Sequence, residues 1–125
     1  MTQAIIVFAH GSKDTLWRQP VEAVAARVQA LAPGVQVRCA YLEWTSPTLM
    51  SAMSELVTLG AKSIRILPMF LGIGKHLRED LPLLIDELIT QYPEVQVSVL
   101  PSVGENLQVI DLLAQISLGL KPIDD

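Results

Sequence analysis

Three side chains able to bind a transition metal recur at one interval in this sequence. His10 ends the apolar run Ile5 to Ala9, Glu43 lies in "YLEW", and His76 follows "LGIGK", with successive members 33 positions apart. Two imidazoles and a carboxylate suit a borderline divalent ion such as cobalt, nickel, iron or zinc. Three protein donors also leave coordination positions open, as a reacting ion requires. Each residue taken alone has a plainer reading, as a capping or solvated side chain. A site exists only if the fold brings the three to one place.

The elements that must do so alternate strand and helix. A first strand spans about Ala4 to Ala9. Val21, Val24, Ala25, Val28 and Leu31 then repeat at helical spacing up to Pro33-Gly34. A second strand spans about Val35 to Leu42. "SPTLMSAMSELVTLG" reads as a helix with Ser46 as N-cap, Pro47 at its first position and Gly60 closing it. The third strand is "SIRILPMF", and its helix is expected to start near Asp80, with Pro82 tolerated in the first turn. "VQVSVL" is the fourth strand, and a last helix runs from about Glu105 to Leu118.

Four such units with short links predict an α/β fold in one domain, residues 1–125. The sheet is four-stranded and parallel, in order 2-1-3-4 with helices on both faces, half of a flavodoxin-like sheet. In such sheets ligands bind beyond the carboxyl ends of the strands, where strand order reverses. Here that point lies between strands one and three, which carry His10 and His76, and strand two brings Glu43 to the same rim. Neighbouring strands are about 4.8 Å apart, so the three side chains can converge.

Other residues collect on that rim. The connection "PMFLGIGKH" is unusually apolar, and Leu71, Ile73 and Trp44 offer a greasy wall beside Gly72 and Gly74 for a flat ligand. Lys13, Arg18, Lys75 and Arg78, four of nine basic residues in an acidic chain, could hold ligand carboxylates. The last helix carries Val109, Ile110, Leu112, Leu113, Ile116 and Leu118 around much of its circumference, too wide a band for one sheet face. A homodimer whose interface involves Ile110, Leu113 and Ile116 is the expectation.

Composition removes several classes of function. A net charge of −4 gives no footprint for nucleic acid. One cysteine, Cys39, excludes an internal disulfide and a cysteine-rich zinc site. No apolar stretch approaches a membrane span and no leader is visible, so a soluble cytoplasmic protein without membrane partners is expected. No Walker loop or GxGxxG is present, so no organic cofactor is expected.

"AHGSKD", "YLEWTSPTL", "ILPMFLGIGKHLREDLP" and "PSVGENLQVIDLL" together resemble the short CbiX-type sirohydrochlorin chelatases, of the class II tetrapyrrole chelatase family. The third segment is the most specific. The resemblance implies a chelatase fold, a homodimer, and insertion of a divalent ion into sirohydrochlorin, with Co²⁺ placed ahead of Fe²⁺ or Ni²⁺. It assigns His10 and His76 to metal binding and Glu43 to the acidic position beside them; chemically, a histidine there can hold the metal or accept a proton, but not both at once. Ser12, Lys13, Leu71, Gly72, Ile73, Gly74, Lys75 and Arg78 are the candidate tetrapyrrole contacts. Two alternatives stand beside it: a non-catalytic metal-binding module, and a phosphohistidine-type phosphoryl-transfer enzyme. The latter carries arginine directly before its His-Gly pair, where this chain has Ala9.

Overall fold

A computed structural model describes residues 3–120. The apolar runs form four parallel strands, β1 (Gln3–Ala9), β2 (Gln36–Tyr41), β3 (Ser63–Pro68) and β4 (Gln96–Val99), in the expected order β2-β1-β3-β4. The helices are α1 (Gln19–Leu31), α2 (Leu49–Thr58), α3 (Lys75–Gln91) and α4 (Leu107–Ser117). A 3-10 turn at Thr15–Arg18, capped by the Asp14 carboxylate, leads into α1.

β1 is central and buried on both faces, which is why it reads as one continuous apolar run. Ala4, Ile6 and Phe8 face a core shared with α2 and α3, where Met53, Leu56, Ile64, Ile66 and Leu88 are fully buried. Val7 and Ala9 face the opposite side, with Val21 of α1, Val37 and Tyr41. Burying each such large side chain contributes about 1.5–3 kcal/mol, and Phe8 adds an edge-to-face contact with Phe70 at 5.8 Å.

Two helix starts differ from expectation. Thr48, not Ser46, caps α2, its hydroxyl accepting from the Ser51 N–H. Pro47 is not the first helical residue, because its carbonyl accepts from the Tyr41 N–H and so belongs to an extension of the sheet. α3 begins at Lys75, five residues before Asp80, so Pro82 lies inside the helix rather than in its first turn. An internal proline costs about 3 kcal/mol. Leu77, Leu81, Leu84, Ile85 and Leu88 pack on the core from both sides of it and hold the helix through the interruption.

α4 departs more sharply. It buries no side chain, and Ile110, Leu113 and Ile116 are 46%, 47% and 62% exposed. On the α1 side of the sheet, Arg65 of β3 and Ser98 of β4 are also exposed. The two faces are therefore covered unequally: α2 and α3 on one, α1 over only the β1–β2 half of the other.

Two glycines lock the loops at the strand ends. Gly11 has φ +101°, and a Cβ there would sit 1.8 Å from the Glu43 carbonyl oxygen. Gly104 comes equally close to the Leu71 carbonyl and donates its N–H to Phe70. Gly11→Ala should lower stability by roughly 2–4 kcal/mol, combining a strained φ with overpacking. Urea denaturation checks this, and a variant as stable as the parent would refute the close approach.

Burial pushes the Tyr41 phenol up to about 12, with the Cys39 and Glu22 charges adding to the shift. In the unfolded chain a tyrosine ionises near 10. Its stabilising contribution is thus present below about pH 10 and is lost as pH rises towards the folded value. The thermal midpoint should fall across this alkaline window, and Tyr41→Phe should flatten the decline.

Candidate functional site

The pairing of β1 with β2 continues past the last residue of each strand. The Leu42 N–H donates to the Ala9 carbonyl at 2.9 Å, and the Glu43 N–H donates to the His10 carbonyl at 3.0 Å. Parallel register therefore sets the two backbones side by side on the rim. Their side chains meet there too, with His10 Nδ1 3.6 Å from Glu43 Oε1. That separation is an ion pair when the imidazole is protonated and a little too long for a hydrogen bond. The side chains are 52% and 49% exposed, so both stay accessible to a ligand. Two donor atoms 3.6 Å apart can share one ion bound at about 2.0–2.2 Å from each, with Nε2 left free on the far side of the ring.

His76 stands apart from this pair. It is exposed in the first turn of α3, just after Gly74, which occupies the N-cap position. Among the described residues, no three His, Cys, Asp or Glu side chains gather as an ion-binding group. The fold thus joins two of the three expected donors and leaves the third on a neighbouring element. A cavity of about 290 Å³ is lined by Leu42 together with Asp80, Leu81, Leu83, Leu84 and Glu87, which places the middle of α3 beside the end of the strand that leads to Glu43.

The remaining rim residues divide by role. The Ser12 hydroxyl accepts from the Asp14 N–H at 3.1 Å and so shapes its own turn. Lys13 places its ammonium 4.6 Å from the centroid of the Trp44 ring. Leu71 is 74% exposed, whereas Ile73 packs against the core, so the expected apolar wall is split between surface and interior. Gly72 and Lys75 are exposed. Arg78 edges a groove of about 430 Å³ whose apolar lining includes Ile73, Leu77, Leu81, Ile85 and Val99.

Two features escaped the reading of the sequence. Arg18 Nη1 donates to Thr45 Oγ1 at 3.3 Å, tying the 3-10 turn to the loop after Glu43. The spacing of 27 residues between them carries no sequence signal. Trp44 adopts φ +71°. Bulky residues rarely enter that region, and nothing in "YLEWTSP" marks it.

Residues 4–117 match the CbiX family model. The chain is 31% identical over 78 residues to a sirohydrochlorin cobaltochelatase of Methanococcoides burtonii, covering 62% of this chain and 60% of that protein. The chain thus spans less than two thirds of that relative's length. The crystal structure of a CbiX protein from Marinobacter aquaeolei VT8 superposes with a TM-score of 0.80 at 25% identity, covering 94% of this chain and 95% of the other. SirB from Bacillus subtilis with Fe³⁺ superposes with a TM-score of 0.74 at 27% identity, over 97% of this chain but only 49% of SirB. With the family model spanning all four strands and all four helices from Ala4 onward, the chain belongs to the CbiX family.

Proposed function

We propose that this protein inserts a divalent metal ion, Co²⁺ first and Fe²⁺ second, into sirohydrochlorin, as a soluble cytoplasmic homodimer. The observation that carries this reading is the His10–Glu43 pair, held half-exposed on the strand rim where an α/β sheet binds ligands. The names of the family relatives support the choice of substrate.

Insertion replaces two pyrrole N–H protons of the macrocycle with one M²⁺ and releases two H⁺. The ion must lose water as it passes from protein donors to four ring nitrogens. His10 through Nδ1 and the Glu43 carboxylate, 3.6 Å apart, take the ion between them in this reading and leave its other positions to water and then to the ring. An imidazole cannot hold a metal and accept a proton at the same nitrogen. His76, separate from the pair, is therefore the group we assign to proton removal. Lys13, Lys75 and Arg78 face the ring's carboxylates, Ser12 holds the turn that presents Lys13, and Leu71 with Gly72, Ile73 and Gly74 forms the apolar edge.

His10→Ala and His76→Ala should each lower metal insertion by roughly 100-fold or more, the usual scale for losing a ligand or a proton-transfer group. Both side chains are exposed, so unfolding should stay cooperative. Spectral assay of sirohydrochlorin with Co²⁺ or Fe²⁺ decides the matter. Metal binding by the parent protein without turnover would instead favour the non-catalytic module.

The dimer is assigned to α4, whose Ile110, Leu113 and Ile116 are exposed in a chain whose sheet is also incompletely covered. The SirB chain is about twice as long as this one, which fits two such units working together. Sedimentation at micromolar concentration should give twice the chain mass of 13.7 kDa. Leu113→Lys should shift it to the monomer, and a parent protein that is monomeric yet fully active would refute the assignment.

A further inference from the structure

Trp44 is held in a costly conformation with little internal return. It sits at φ +71°, with 60% of its surface exposed, directly after Glu43. The Lys13 ammonium sits over its ring, 4.6 Å from the centroid. A cation–π contact at an exposed site stabilises less than a left-handed backbone costs at a bulky residue. Folding stability alone does not explain this pair, whereas position does. Lys13 lies three residues after His10 and Trp44 one residue after Glu43, so the contact bridges the two loops that carry the proposed metal donors.

We propose that Trp44 and Lys13 form a clamp that seats the tetrapyrrole over the His10–Glu43 pair. This rests on the sirohydrochlorin reading given above. The ligand is flat, conjugated and rich in carboxylates. An exposed indole offers a stacking face of matching chemistry, and the ammonium beside it offers a partner for a carboxylate at the ring's edge. In the free protein the two groups occupy each other; on binding, Lys13 exchanges the indole for a carboxylate, and the indole lies against the macrocycle. The strained backbone aims the indole outward, which is the use to which such strain is commonly put.

The test combines equilibrium titration of metal-free sirohydrochlorin with initial rates of Co²⁺ insertion, for the parent, Trp44→Phe, Trp44→Asn and Lys13→Met. Asparagine tolerates the left-handed region, so Trp44→Asn removes the ring without adding strain. It should raise Kd and KM together by roughly tenfold, about 1.4 kcal/mol, with a much smaller change in kcat. Trp44→Phe should recover most of the loss. Lys13→Met should raise KM severalfold at low salt, and the difference should shrink as salt screens the ion pair. Parent-like Kd and KM in Trp44→Asn, with insertion intact, would overturn the clamp while leaving the chelatase reading standing. A parent protein that neither binds nor metallates sirohydrochlorin would overturn both.

Discussion

One hydrogen bond beyond the end of β1, from the Glu43 N–H to the His10 carbonyl, fixes the separation on which the site depends. It extends the parallel pairing Ala9↔Tyr41 by two residues and brings an imidazole and a carboxylate to the same lip of the sheet. A slip of one residue would turn every β1 side chain to the opposite face and carry His10 away from Glu43. Register is protected against that slip because β1 is buried on both sides: Phe8 and Val7 cannot exchange environments without disturbing two cores at once. Gly11 completes the arrangement, since only a residue without a Cβ lets the β1 loop pass so close to the Glu43 carbonyl.

Much of this was legible in the residues. Continuous apolar strands alternating with helical spacing gave the sheet and its order, whereas the 33-residue interval, read as equivalent positions in successive units, holds for His10 and Glu43 but not for His76. The interval could not say which element each position occupies. His10 and Glu43 both fall just past strand ends, whereas His76 falls inside α3, because that helix starts at Lys75 and continues through Pro82. Local rules place a proline in a first turn; packing of Leu77, Leu81 and Leu88 overrode them. Ser46-Pro47 misled in a similar way. It has the composition of a helix start, but long-range pairing with Tyr41 claims the Pro47 carbonyl and passes the cap to Thr48.

The unequal covering of the sheet links fold to function. α1 shields β1 and β2, whereas β3 and β4 on the same side leave Arg65 and Ser98 exposed, and α4 keeps its leucines and isoleucines in solvent. Its wide apolar band, evident in the sequence, is therefore explained by neither core of the single chain. A second copy would bury it and could close the open side of a rim whose donors are already half-exposed. Trp44 tells a related story at smaller scale: a residue whose conformation and exposure oppose stability sits where a planar ligand would rest.

The central claim is that His10 and Glu43 receive the metal on the strand rim. X-ray absorption of the protein loaded with Co²⁺ alone tests it most directly, because imidazole ligands leave a distinct outer-shell scattering pattern. The account predicts a mixed nitrogen and oxygen shell at about 2.0–2.2 Å that contains imidazole and loses it in His10→Ala. A cobalt site with the same imidazole scattering in His10→Ala as in the parent would contradict it.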